Sequence, residues 1–211
     1  MTVTAHAGAF DTPANTMESV KKILEKKSEV IELDVTFRPD KTPVIIHSGE
    51  PSENEGVPLD EVFSVISSDK DIQMNLDLKS IGNLPETEAL LKKHGLFGRA
   101  FYTGAAEDWC AVLQKSSNVP YYLNLHIKLR QRRSKKVLLK EAEKAVRLGV
   151  CGINVKYCYV TQKLVDIMHK HSLPVSVWTV NNPKTAKKLI KMGVDNITSL
   201  DPDVIKALLN K

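Results

Sequence analysis

Short apolar stretches rich in β-branched residues alternate with amphipathic stretches of helical period along the whole chain. This alternation predicts a parallel sheet whose strands are joined by crossover helices. We predict eight strands, at residues 2–6, 30–36, 72–79, 99–103, 121–126, 152–156, 175–180 and 196–199.

The helical stretches carry start and stop signals. Asn15, followed three residues later by Glu18, predicts an N-cap with a capping-box partner. Gly95, Gly149 and Gly193 each precede an apolar residue that leads towards the next strand, as expected for a left-handed helix end. Because this signal recurs, we predict repeated βα units that close into a single TIM-type (β/α)8 barrel, an α/β fold with its active site at the C-terminal ends of the strands. A doubly wound open sheet is the alternative, but no GxGxxG or Walker-type loop favours it.

One extra piece follows the second strand. Residues 35–48 comprise two β-rich runs joined by a turn that contains proline and aspartate, which predicts a small β-hairpin. Such a hairpin returns His47 to the top of the barrel. The polar segment 49–58 predicts a loop, too short for a second domain.

Charged residues interrupt two of the predicted strands. Side chains alternate along a strand, so Glu32 and Asp34 share one face, and Asp77 and Lys79 share the polar face of another strand. Unpaired buried charges are costly. A divalent cation such as Mg²⁺ or Ca²⁺ would compensate the three carboxylates, since hard ions prefer oxygen ligands. An internal ion-pair network involving Lys79, without metal, is an equal alternative from these strands alone.

Two histidines favour the metal site. His6 closes the first strand and His47 closes the hairpin, so both are expected at the end of the barrel where the carboxylates lie. A cation between carboxylates and two imidazoles is suited to phosphoryl chemistry, with one imidazole as base and the other as acid. Lys79 would place a second positive charge against the phosphate. The sequence therefore predicts phosphoryl-transfer chemistry.

Composition limits the fold and the location. With 211 residues, 42% of them hydrophobic, we expect a single domain over residues 1–211. No apolar run approaches the roughly 20 residues of a membrane span, and the N-terminus shows no signal peptide, so we expect a cytoplasmic protein without an integral membrane segment. Cys110, Cys151 and Cys158 form no CxxC pair and are interpreted as reduced packing residues.

The net charge of +5 is concentrated in one run, Lys128 to Lys136. Such a run could contact nucleic acid or an anionic membrane. No aromatic residue interleaves the basic ones, so a solvated helix start is the favoured interpretation and no nucleic-acid partner is expected. The run could still attract small anionic substrates.

Several motifs together carry a family resemblance. In order and spacing over nearly the whole chain, the sequence resembles the glycerophosphodiester phosphodiesterases; the motifs are AHAGAFDTPANT, IELDV, PVIIHS, NLDLK, VSVWTVNN and GVDNITS. The resemblance implies hydrolysis of a small-molecule glycerophosphodiester to glycerol 3-phosphate and an alcohol, begun by attack of the neighbouring glycerol hydroxyl on phosphorus. It also implies roles for seven residues: catalytic His6 and His47, metal ligands Glu32, Asp34 and Asp77, phosphate-facing Lys79, and Trp178 as an aromatic wall of the pocket.

Four positions depart from the family pattern. Ala7 replaces an arginine, Ala14 a glutamate and Ser48 an aspartate, while Asp77 replaces a glutamate among the metal ligands. The insertion after the hairpin is also reduced, to about the length of residues 48–57, which should leave the pocket more open. The alternatives are a degenerate relative that binds a phosphate ester with little turnover, or a phosphodiesterase with another substrate. The sequence leaves open the leaving alcohol, the metal and the oligomeric state.

Overall fold

The computed structural model describes residues 1–209, and these residues form a closed barrel of parallel strands. Closure is direct, because the first strand pairs with both the second and the last. The strands are β1 Thr2–Ala5, β2 Val30–Phe37, β3 Pro43–Ile45, β4 Val57–Pro58, β5 Gln73–Leu78, β6 Ala100–Ala105, β7 Tyr121–Asn124, β8 Gly152–Lys156, β9 Val175–Trp178 and β10 Asn196–Ser199. Apart from β3 and β4, all are parallel barrel strands, so the eight predicted strands and the TIM-type fold are confirmed.

Helices surround the barrel on its outside. They are α1 Met17–Glu25, α2 Leu59–Ile66, α3 Leu84–Lys93, α4 Cys110–Ser116, α5 Lys135–Arg147, α6 Gln162–Lys170, α7 Pro183–Met192 and α8 Pro202–Leu209. Within residues 1–209, none of these helices is long and apolar enough to cross a membrane. The prediction of a single domain over 1–211 includes two residues outside those described and stays a prediction.

The hydrophobic core lies between the barrel and the helices because strand residues alternate their direction. In β2, Ile31, Leu33 and Val35 are fully buried in the apolar cluster that includes the helices. Their neighbours Glu32 and Asp34 line a cavity inside the barrel mouth instead. The predicted separation of an apolar face and a polar face is therefore confirmed.

The predicted hairpin is present and is made by β2, β3 and β4. Antiparallel pairing places Val35 opposite Ile45 and Phe37 opposite Pro43. The next amide, Ile46 N–H, donates to the carbonyl of Asp34 at 3.0 Å. His47 follows directly, so the hairpin places the His47 imidazole beside the Asp34 carboxylate of β2.

The start of α1 differs from the sequence prediction. The N-cap is Thr16, whose hydroxyl accepts from Ser19 N–H while the Ser19 hydroxyl oxygen accepts from Thr16 N–H, so Asn15 and Glu18 do not form the predicted capping box. Asn15 adopts φ of 57° and turns its amide into the barrel. The helix ends are as predicted, with positive φ at Gly95, Gly149 and Gly193.

The sequence interpretation makes all three cysteines reduced packing residues, but only one of them is packed in the core. Cys110 is fully buried and packs in the core, whereas Cys151 is exposed and Cys158 is half-buried. All three are free thiols in the described chain.

Gly104 sits where β6 shifts register against β7, beside the barrel mouth. Its φ is +79°, and a Cβ added there would lie 2.3 Å from the Leu78 carbonyl oxygen. Only glycine combines this dihedral with so close an approach of two strands.

Gly104→Ala should therefore lower the free energy of unfolding by about 2–5 kcal/mol, through left-handed strain and overpacking together. Gly98→Ala is the matched control, because nothing lies within 4 Å of its Cβ position and its φ is not left-handed. Denaturant unfolding of both variants measures the difference. Equal stabilities would contradict the strain at Gly104.

Candidate active site at the barrel mouth

Strand register brings the three predicted carboxylates together. β2 pairs with β5 so that Asp34 lies beside Asp77, and Glu32 stands one pleat deeper on the same face. One oxygen from each of the three residues lies within 4.8 Å of the others. The sequence prediction that these acids share a face at the mouth is borne out in the geometry.

Lys79 lies between two of the acids. Its Nζ is 2.7 Å from Asp34 Oδ1 and also forms an ion pair with Asp77. Burial alone would lower the pKa of Lys79, but Asp77 and Asp34 raise it above its ordinary value. The ammonium therefore stays charged, as the ion-pair alternative requires for these two carboxylates.

Asp34 is the most heavily bonded group of the site. Asn15 Nδ2 donates to Asp34 Oδ2 at 2.7 Å, and Asn15 Oδ1 accepts from Asp34 N–H at 3.0 Å. His47 Nδ1 lies 3.0 Å from the same Oδ2. Burial acts to raise the pKa of Asp34, but the Lys79 charge and the hydrogen bonds from Lys79, Asn15 and His47 lower it, so the carboxylate is held ionised.

Glu32 has much less compensation. It is buried, and it accepts Ala7 N–H at 2.8 Å, while His6 Nε2 is 4.0 Å away. Burial and the charges of Asp34 and Asp77 raise the pKa of Glu32 well above its ordinary value. Lys79 neutralises only part of the cluster, so the donor set fits a divalent cation with oxygen ligands.

The two histidines line the same cavity from different elements. His6 follows β1, its Nδ1 accepts from Gly8 N–H at 3.3 Å, and burial lowers its pKa, so the ring is neutral near pH 7. The His47 side chain is 82% exposed, and the contact of its Nδ1 with Asp34 leaves Nε2 available to a ligand. One imidazole thus comes from the end of β1 and the other from the hairpin.

The rest of the cavity is polar with one aromatic side. Its volume is about 570 Å³. Trp178, at the end of β9, lines it as predicted. Lys79, predicted to face the phosphate, lines the cavity too. Further lining residues, none of which was predicted as a site residue, are Asn75, Leu78, Thr103, Gly104, Asn124, Asn154, Thr179 and Thr198.

Some of these missed residues had a signal. Thr103 Oγ1 lies 2.6 Å from Asp77 Oδ1 and 2.7 Å from Asn75 Oδ1, and Asn154 Nδ2 donates to Asn124 Oδ1 at 2.9 Å. All four occupy inward positions of barrel strands, where the same alternation that identified the acids would have placed them. Asn15 had no such signal, because its position depends on the loop before α1.

Ala7 and Ala14 lie close together in that loop. Asn15 N–H donates to the Ala7 carbonyl at 3.3 Å, and a Cβ on Gly8 would lie 3.1 Å from Ala14 Cβ. Ala7 is fully buried. The backbone therefore brings residues 7 and 14 into neighbouring parts of the loop.

The comparisons with known proteins all point to glycerophosphodiester phosphodiesterases. The model of the glycerophosphoryl diester phosphodiesterase family matches residues 59–204, a range that contains Asp77, Lys79 and Trp178 but begins after His47. Two curated relatives align with nearly the whole chain. A Caldanaerobacter subterraneus glycerophosphodiester phosphodiesterase is 24% identical and covers 99% of this chain and 98% of its own length. A Bacillus subtilis protein, named as a candidate glycerophosphodiester phosphodiesterase, is 27% identical over 97% of this chain and 96% of its own.

A solved structure shares the fold. The Oleispira antarctica phosphodiesterase in complex with sn-glycerol-3-phosphate superimposes with a TM-score of 0.79 at 20% identity, covering all of this chain and 97% of that chain. At this identity the likeness supports the barrel architecture and no residue assignment.

Asn15→Gly should weaken the affinity for Mg²⁺ or Ca²⁺ by about 10- to 100-fold, because an outer hydrogen bond that orients a carboxylate ligand is lost. Glycine tolerates the positive φ, so the change removes the amide without backbone strain. Calorimetric metal titration gives the affinities.

Asn118→Gly is the matched control, since Asn118 Nδ2 donates to the buried carboxylate of Glu88 before β7, at the opposite end of the barrel. Its metal affinity should equal that of the native protein. If both variants bind metal as well as the native chain, Asn15 does not orient Asp34 for a cation.

Proposed function

The chain belongs to the glycerophosphoryl diester phosphodiesterase family, and we propose that it hydrolyses a small glycerophosphodiester to glycerol 3-phosphate and an alcohol. One observation carries the proposal: two imidazoles, three carboxylates and one ammonium surround a single open cavity. The named activity of the curated relatives and the glycerol 3-phosphate in the Oleispira structure support the same substrate class.

Glu32, Asp34 and Asp77 hold the divalent cation, Mg²⁺ or Ca²⁺, in this proposal. Such a cation, when bound, offsets the negative charge that develops on the phosphoryl oxygens. Three carboxylates and one ammonium leave two negative charges in the cluster, which a divalent ion balances. Lys79 then directs its positive charge towards the phosphate while keeping Asp34 and Asp77 in register.

His6 and His47 move the protons. Burial keeps His6 neutral near pH 7, and Asp34 holds the His47 ring by its Nδ1, as a carboxylate orients the imidazole in other acid–base pairs. One imidazole accepts the proton of the attacking hydroxyl, and the other protonates the departing oxygen.

The attacking group is the glycerol hydroxyl next to the ester. Its oxygen bonds to phosphorus, and the bond to the alcohol oxygen breaks. Water then adds to phosphorus, and the bond to the attacking hydroxyl oxygen breaks, which gives glycerol 3-phosphate. No serine or cysteine nucleophile is required.

The cavity suits a small substrate, and its open side leaves the size of the alcohol group unrestricted. About 570 Å³ lies within the usual range for small-molecule sites. The loop at residues 49–56 is short, so the side near His47 is open to solvent. Trp178 offers a flat apolar wall to the glycerol carbons or to the alcohol.

A second candidate function rests on Ala7. Among the described residues, no arginine lines the cavity, and Lys79 is the one lysine that does. The positive charge that an arginine at residue 7 would bring to a phosphate is therefore missing. In this alternative, the chain is a degenerate family member that binds a phosphate ester with little or no turnover. The retained pair of imidazoles favours hydrolysis over this alternative.

Purified protein with Mg²⁺ or Ca²⁺ should release glycerol 3-phosphate from glycerophosphocholine or glycerophosphoethanolamine, and EDTA should abolish release. His47→Ala should lower kcat by about 10²–10⁴-fold, the usual contribution of a positioned proton donor or acceptor. A coupled assay for glycerol 3-phosphate measures both.

His169→Ala is the control for this experiment. His169 also pairs with a carboxylate, at 2.8 Å from Asp195 Oδ2, but it lies on α6 outside the barrel. Its activity should be native. Turnover that survives both EDTA and His47→Ala would overturn the mechanism.

The double variant Ala7→Arg/Ala14→Glu separates the two candidate functions. Residues 7 and 14 are neighbours, so the glutamate would compensate a guanidinium that Ala7→Arg alone would bury unpaired. If the native chain is an enzyme, the double variant should lower KM, by roughly ten-fold for one charged hydrogen bond to phosphate, and leave kcat within a few-fold. A native chain without turnover that gains it only in the double variant would establish the degenerate alternative.

A further inference from the structure

The net positive charge of the chain comes from one stretch of sequence. Residues 125–140 contain seven lysines and arginines and no acidic residue, so the remainder of the chain carries two net negative charges. The stretch follows β7, whose last residue Asn124 lines the site cavity. It therefore lies at the mouth end of the barrel.

Most cations of this stretch are exposed and form no ion pair within the described residues. The surface, which we call the basic rim, consists of Lys128, Arg130, Arg133, Lys135, Lys136 and, after the neighbouring strand β8, Lys156. All six are exposed, and none forms an ion pair within residues 1–209. Interactions inside the described chain therefore do not account for this charge.

The helix that follows makes the arrangement energetically unfavourable. Lys135 and Lys136 occupy the first turn of α5, which has no acidic residue. Cations at a helix N-terminus oppose the helix dipole. Folding alone would favour acidic residues at these positions.

Two large apolar side chains protrude among the cations. Leu129 is 56% exposed and lies in a short 3₁₀ turn, residues 129–131, rather than in a helix start as the sequence suggested. Tyr157 is 37% exposed in the equivalent turn after β8. Single exposed apolar residues are common, but these two both lie at the mouth end and are both flanked by unpaired cations.

Hydrogen bonds join the two turns into one surface. Arg132 donates to the carbonyl of Cys158, and Thr161 Oγ1 donates to the Arg132 carbonyl at 3.1 Å. Lys163 Nζ donates to the Arg133 carbonyl at 3.2 Å. The buried side chains of Leu125 and Ile127 anchor the first turn to the barrel.

We propose that the basic rim, with Leu129 and Tyr157 at its tips, docks the barrel mouth onto an anionic lipid bilayer. Lysine and arginine residues attract anionic headgroups, while leucine and tyrosine enter the boundary between headgroups and acyl chains. A bare leucine between cations has no matching partner on a nucleic acid, whose phosphates and bases are bound by hydrogen bonds and stacking. Docking is independent of the proposed hydrolysis, because it needs no substrate.

Vesicle flotation of the full chain tests the proposal. The protein should bind vesicles of phosphatidylcholine with about 30% phosphatidylglycerol, should not bind phosphatidylcholine alone, and should lose binding as salt rises well above about 0.1 M. Lys128→Glu/Arg130→Glu should weaken binding at least about ten-fold, since each basic residue near an anionic surface contributes roughly five-fold. Leu129→Ser, which leaves the charge unchanged, should weaken it about five-fold or more.

Lys187→Glu/Lys188→Glu is the matched charge control, because both lysines are exposed on α7 at the flank of the barrel. This control should lose less than three-fold. Equal losses in the two charge variants, or native binding by Leu129→Ser, would overturn the proposed orientation and reduce the effect to general attraction. Tighter binding of polyuridylate than of the vesicles, lost in Lys128→Glu/Arg130→Glu, would assign the rim to nucleic acid instead.

Discussion

Three carboxylates share the interior of one small barrel, and the need to compensate them determines the structure of its mouth. Each compensating group comes from a different element. Lys79 extends from the end of β5, the Asn15 amide from the loop before α1, the His47 ring from the hairpin, and the Ala7 amide from the turn after β1. The loops of the N-terminal half are therefore part of the electrostatics of the site, and the order of the strands decides which of them can reach it.

Much of this could be predicted because it depends on short-range rules. Alternation of side chains along a strand is a local property, so Glu32 and Asp34 had to share a face, and their position beside Asp77 followed from adjacent parallel strands. The glycine helix ends, such as Gly193 with φ of +79°, are also local, since few other residues tolerate that dihedral. These two signals sufficed for the barrel and for the core of the candidate site.

The remaining features depend on contacts between distant segments. Asn15 lies nineteen residues before Asp34 in the sequence, and its local sequence suits a helix cap. In the structure its amide bonds to Asp34 instead, and Thr16 caps the helix. At Gly104, β6 shifts register against β7 and also approaches the backbone of Leu78 in β5 closely, and no local pattern records either contact. Likewise, α5 begins only at Lys135, so Leu129 lies in a turn that exposes it. The first two outcomes depend on segments that the closed barrel brings together, whereas α5 begins where Ser134 caps it, its hydroxyl oxygen accepting from Val137 N–H.

Ala7 and Ala14 also affect the charge of the site, because the family pattern has an arginine and a glutamate at these positions. An arginine and a glutamate together add no net charge, so replacing both by alanine leaves the formal charge around the carboxylate cluster unchanged. The demand for a divalent cation is therefore unchanged, whereas loss of the arginine alone would have left the glutamate unpaired and increased that demand. The backbone N–H of Ala7 still donates to Glu32, a contact that any residue except proline can make at this position. If the proposed site binds the phosphodiester, the alanine at residue 7 removes only a direct contact between a guanidinium and the phosphate, so the expected deficit is in substrate affinity rather than in the proposed binding of a cation.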